Sequence, residues 1–193
     1  RRQALGAEHP DTLESLAAYA SQLVDLERSE EAVPIYAEAL RLSRKALGET
    51  HPETLNRLGN YAFALDVVGR DAESLEVTAQ ALRQQRETLG DRHPQTLAAM
   101  NNYASLLFKQ DRTKEALALF KQSWEIAREV MGESHPDALF VFNGYARSVL
   151  KEEGFAAAEP LIRRSVQLRR ATLGDTHSDT LHAIQSLASE LTE

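Results

Sequence analysis

The sequence predicts an all-α chain of stacked antiparallel helix pairs, an α-solenoid, and three observations carry that prediction. A 42-residue period runs through the 193 residues, marked by histidine at His9, His51, His93, His135 and His177. Each marker sits in one recurring phrase: Leu5-Gly6 before His9-Pro10-x-Thr12-Leu13, Leu47-Gly48 before His51-Pro52-x-Thr54-Leu55, Leu89-Gly90 before His93-Pro94-x-Thr96-Leu97. Met131-Gly132 before His135-Pro136-x-Ala138-Leu139 and Leu173-Gly174 before His177-Ser178-x-Thr180-Leu181 complete the set. Between the phrases apolar residues recur in steps of three and four, the spacing of a helix with one buried face. Self-similarity at this length marks supersecondary units that bury their apolar faces only by stacking on one another.

The third unit shows how each element arises. Proline at the start of a helix loses nothing, because its missing N–H would be unpaired in the first turn, so Pro94 opens helix A. The following proline pushes His93 towards extended geometry, placing it at or beside the N-cap. Leu97, Met100, Ala104 and Leu107 then form one apolar stripe, and helix A runs from about 94 to 110. Asp111-Arg112-Thr113 makes the turn, with Thr113 expected as N-cap and Glu115 favourable in the next first turn. Helix B carries Ala116, Leu119, Phe120, Ser123, Trp124, Ala127 and Met131, and Gly132 is expected to end it as a left-handed cap. By this register residues 1–8 are the end of a preceding helix B and its linker. Four units follow at 9–50, 51–92, 93–134 and 135–176, and 177–193 are a fifth helix A.

Three slots per unit hold small residues, as two helices need where their axes approach to roughly 8–10 Å. They are Ala20, Ala62, Ala104, Ala146 and Ala188 in helix A, then Ala32, Ser74, Ala116 and Ala158, and Ala39, Ala81, Ser123 and Ser165 in helix B. Larger residues stand between them: Tyr19, Tyr61, Tyr103 and Tyr145, with Leu23, Leu65, Leu107 and Val149. This pattern resembles the tetratricopeptide repeat (TPR). The 42-residue period, the linker phrase, Asn101-Asn102-Tyr103-Ala104, and Pro34 and Pro160 resemble its kinesin-light-chain-like subclass. The resemblance implies a right-handed superhelix whose A helices line a concave side. Thr78 in place of a bulky residue, Phe155 in place of a capping residue and Ser178 in place of proline depart from the pattern.

Composition narrows the function. With 42% hydrophobic and 26% charged residues the chain can build a continuous core and stay soluble, and no apolar run approaches the roughly 18 residues of a membrane helix. A net charge of −7 opposes binding to nucleic acid, whose affinity comes largely from phosphate neutralisation. Cysteine is absent, which excludes disulfides and thiol catalysis and suits a cytoplasmic setting. No Ser-His-Asp order, glycine-rich phosphate loop or paired carboxylates stand out, so no enzyme activity and no cofactor are expected.

Two ladders read as structural. Histidines one helix-pair step apart cannot converge on one metal ion, whose ligands sit at ~2.0–2.1 Å, so the reading is linker capping and no metal. Arg2, Arg44, Arg86, Arg128 and Arg170 stand in the last turn of each helix B, where a cation complements the helix dipole. They are also within reach of the acids opening helix A at Asp11, Glu53, Asp137 and Asp179.

The inner face of helix A is the candidate site. It comprises Asn56, Asn60, Phe63, Asn101, Asn102, Ser105, Lys109, Asn143, Arg147 and Lys151. Asparagine is at best an ordinary helix former, so its clustering suggests use as a donor and acceptor to an extended peptide backbone. The resemblance implies the same, and Lys109, Arg147 and Lys151 favour an acidic or C-terminal-carboxylate ligand. The expected function is therefore a protein-interaction scaffold that holds a peptide or partner segment in its groove, with no nucleic-acid or membrane partner. Two alternatives stand beside it. One is a regulatory arm of a larger signalling enzyme, a nucleotide-switch ATPase or a caspase-like protease. The other is self-association through open array ends, motivated by Leu187 and Leu191.

Overall fold

The computed structural model describes residue 6 and residues 8–190, with side chains as far as residue 185. Among the described residues nine helices follow one another: α1 (Pro10–Asp25), α2 (Ser29–Leu47), α3 (Pro52–Val67), α4 (Asp71–Leu89), α5 (Pro94–Lys109), α6 (Thr113–Val130), α7 (Pro136–Glu153), α8 (Phe155–Leu173) and α9 (Ser178–Glu190). Among the described residues there is no strand. Odd-numbered helices are the A helices of the repeat, and even-numbered ones the B helices. Within each unit short turns join helices that pack on their sequence neighbours, so the two members of each pair run antiparallel.

Each helix A starts as the linker phrase predicts. His9, His51, His93 and His135 are extended N-caps with ψ of 136–138°, and proline follows at the first helical position. The imidazole Nδ1 accepts the backbone N–H two residues on, at 3.2 Å, in all five copies including His177. With Nδ1 accepting, the ring proton is on Nε2. Ser178 opens α9 in place of proline under the same cap.

The helices group into two compact units, Arg1–Gly90 and Asp91–Glu193. In the first, Ala20, Leu23, Ala32, Val33, Tyr36, Ala64 and Leu65 form one buried cluster, and Leu40, Leu58 and Ala81 form another. In the second, Ala146, Val149, Ala158 and Ile162 cluster beneath Tyr145, and Trp124 stacks on Phe142 at 4.3 Å between centroids. Every small-residue slot of the four whole units is at most 4% exposed. Serine occupies three of these slots: the Ser74 hydroxyl donates to the carbonyl of Ala62 at 2.8 Å and Ser165 Oγ accepts from Arg169, whereas Ser123 Oγ is buried without a partner. Residues 1–5 and Leu191 lie outside the described residues, as do the side chains of Ser186, Leu187, Ala188, Ser189 and Glu190.

Several expectations need correction. Thr113 is the first residue of α6 and is buried, while the N-cap is Arg112. The guanidinium of Arg112 clasps Glu115 with two hydrogen bonds of 2.7 Å, and Arg28–Glu31 and Arg70–Glu73 repeat the arrangement at α2 and α4. The glycines closing α2, α4 and α8 have φ of 79–95° but ψ of 164–168°. That is an extended mirror-image region essentially reserved for glycine, not the left-handed helical one. The arginine ladder reaches a nearer acid than expected: Arg44 pairs with Glu49 and Arg170 with Asp175, the residue just past the glycine, each at 2.9 Å. The first rung, Arg2, lies outside the described residues. Tyr19 is 52% exposed, whereas Tyr61 and Tyr145 pack against core clusters.

Candidate functional site

The linker threonine is buried at the start of helix A wherever it occurs. Thr12 Oγ1 donates to the carbonyl of Gly6 at 2.8 Å, and Thr12, Thr54, Thr96 and Thr180 are all at most 3% exposed. In that first copy the bond ties the first turn of α1 to the glycine before it, whereas Thr54 Oγ1 and Thr180 Oγ1 are buried without a partner.

Seven of the ten candidate residues fall in the second unit, on α5 and α7, which lie against each other. Asn101, Ser105, Lys109, Asn143, Arg147 and Lys151 line one open cavity of about 460 Å³, floored by Phe108, Phe120, Phe140 and Gly144. Asn102 lines a second cavity of about 180 Å³ beside it, and Asn101 and Phe140 border both. Asn56, Asn60 and Phe63 are exposed on α3 in the first unit, and Val67 continues their row with 45% exposure.

Asn101 is not a surface residue. It is 6% exposed, and its Oδ1 is buried without a donor. An orphaned acceptor of this kind costs about 1–3 kcal/mol, so its retention at a cavity wall calls for an explanation. Asn102 and Asn143, by contrast, are exposed.

The basic end of the site is built on an aromatic ring. Arg147 Cζ lies 5.1 Å and Lys151 Nζ 5.0 Å from the centroid of Phe108, both within cation–π range. Lys151 also bonds to Asp111, whose carboxyl that contact holds below the usual range. Arg147 has no carboxylate partner among the described residues, so its charge is available to a ligand. Phe108 was not singled out from sequence; its aromatic ring one residue before Lys109 was the available signal.

Gly144 shapes the floor. A Cβ there would run into Cε1, Cζ and Cδ1 of Phe120, so the ring packs against the α7 backbone at the position where Asn60 and Asn102 stand in other copies. Phe120 is consequently both core and cavity floor. Among the described residues no group of three or more His, Asp or Glu side chains could hold a metal ion, and no helix is long and apolar enough to cross a membrane.

Helix pairs stacked in a 42-residue register, with a polar row exposed along the A helices, define the class of repeat proteins that bind other proteins. Profiles of the Tetratricopeptide repeat match residues 58–129, 99–171 and 12–53. The chain belongs to that family, and its kinesin-light-chain-like form is supported by solved structures. The nearly identical TPR-like repeats of a proposed kinesin light chain from Podosopora anserina superpose with a TM-score of 0.83 at 25% identity, covering 95% of this chain and 87% of that one. A variant of the same repeats gives a TM-score of 0.85 with the same identity and coverage. BtubC (BKLC) from P. vanneervenii shares the fold, with a TM-score of 0.82 at 17% identity over 94% of this chain and 72% of that one. No curated protein sequence matches significantly.

Proposed function

We propose that this chain is a non-catalytic scaffold that holds an extended peptide segment of a partner protein against its A helices. The observation that carries the reading is the second unit's cavity, where Asn101 lacks a donor and Arg147 lacks an acid beside the exposed amide of Asn143. Asparagine amides donate to and accept from a peptide backbone regardless of its side chains, so they supply affinity. Arg147 selects for an acidic side chain or a terminal carboxylate. Asn56, Asn60 and Phe63 offer a second, more apolar contact row on the first unit.

Panning a displayed random-peptide library against the intact chain tests this. Saturable binders are expected, weakened about two- to tenfold by each of Asn60→Ala, Asn102→Ala and Asn143→Ala, as for a lost hydrogen bond. Unchanged affinity in all three variants contradicts the assignment.

One observation favours contact between copies as a second reading. The leucine of the linker phrase is at most 3% exposed at Leu13, Leu55, Leu97 and Leu139, yet 52% exposed at Leu181. Light scattering over a concentration series reads it directly: mass that grows supports association, and a constant monomer mass dismisses it.

A further inference from the structure

The smaller cavity of the second unit has an origin in the repeat itself. At the homologous place one step later, Arg169 projects from α8 under the first turn of α7. Its guanidinium donates to the carbonyl of Leu139 at 3.2 Å and to Ser165 Oγ, and it is only 8% exposed. In the first unit the A-helix side of the step supplies the filler: Arg57, 6% exposed, donates to the carbonyl of Glu53 at 3.0 Å. On the step between α6 and α7 neither slot has a long side chain. Ala127 stands at the Arg169 position and Val141 at the Arg57 position. The space next to Leu97, the copy of Leu139, is left as the cavity of about 180 Å³.

Its walls are mostly apolar, with Leu97, Ala98, Ala127, Met131, Phe140 and Val141, and its polar lining is Asn102, Asp137 and the buried amide of Asn101. An apolar cavity of about 150 Å³ accepts a benzene molecule, so this one holds a side chain of leucine or phenylalanine size. Asn101 supplies the second requirement. Its Oδ1 has no donor, and a backbone N–H entering beside an inserted side chain provides one once the amide turns towards it.

We propose that the cavity beside Ala127 is an anchor pocket for one bulky apolar residue of the docked segment, replacing the internal filler that Arg57 and Arg169 supply at their steps. Arg147, on the same face of α7, then sets an acidic group of the ligand beyond that anchor. The inference rests on the helix-A docking reading and adds the identity of the residue that the segment inserts.

Nuclear magnetic resonance titration of the full chain with two capped single residues, N-acetyl-leucine methylamide and N-acetyl-glycine methylamide, tests it. The leucine probe is expected to shift the Asn101 side-chain amide and Val141 methyl signals saturably, and to bind about tenfold or more tighter than the glycine probe. Ala127→Leu, which fills the pocket with the protein's own isobutyl group, should keep or raise the melting temperature and abolish the shifts. Ala127→Gln, which carries the glutamine found at Gln85 one unit earlier, should act likewise if the leucine variant folds poorly. Equal response to the two probes, or equal binding by wild type and a folded Ala127 variant, overturns the proposal. Failure of the docking reading looks different: the leucine probe still enters its pocket while library-selected peptides ignore the asparagine substitutions.

Discussion

At His93 an imidazole takes the place that serine or aspartate usually holds at a helix start, accepting the N–H of Gln95 through Nδ1 at 3.2 Å. Removing such a cap typically costs about 1 kcal/mol. His93→Ala is therefore expected to lower the unfolding free energy measured in urea by about 1 kcal/mol, whereas His93→Asn, which caps with its own oxygen, should retain most of the stability. At Gly144 the constraint is contact rather than conformation. Gly144→Ala places a methyl group against Phe120, a clash worth about 1–3 kcal/mol, and Phe120→Leu in the same chain should relieve part of it. Non-additive melting temperatures in that double-mutant cycle are the readout. The histidine was legible from its proline and its period. The Phe120–Gly144 contact was not, because it joins two repeats across a packing distance that no spacing along the chain encodes. Asn101 shows the same gap: it lies four residues after Leu97 and one after Met100, at the edge of the stripe, and the neighbouring α7 decides that it is buried.

Helix boundaries followed the punctuation, since proline and glycine constrain the backbone directly. The start of helix B misled for a physical reason. Thr113 has the chemistry of a cap, but the second helix of a pair turns its first residue inwards, and the cap position falls to Arg112. Hydrogen bonds from Arg28, Arg70 and Arg112 hold Glu31, Glu73 and Glu115 below the ordinary carboxylate range, as Lys151 does for Asp111. A carboxyl lowered on folding stabilises above its unfolded pKa, and the contribution is lost as pH falls through the lowered value. Urea midpoints are expected to decline below about pH 4, and to decline less in high salt, which screens exposed pairs. A midpoint flat to pH 2 would show that these clasps contribute nothing. The apolar stripe carries more: Leu65→Ala removes a fully buried side chain from a cluster joining α1, α2 and α3, an expected loss of about 2–5 kcal/mol.

Across the molecule, the repeated phrase made the fold class readable because every copy states the same local physics. Function was readable only as a polar row on one helix type. What distinguishes one step from another lies in departures from the repeat, such as Ala127 against Arg169 and Gly144 against Asn102, and their meaning emerges once the cavities they leave are seen. The central claim is that a partner segment lies along the A helices and is held by their amides. A crystal structure of the intact chain with a library-selected peptide measures this directly. The account predicts peptide backbone within hydrogen-bond distance of the Asn102 and Asn143 side chains, with an apolar residue seated beside Ala127. A peptide lying instead on the B helices, with those amides still facing solvent, would contradict it.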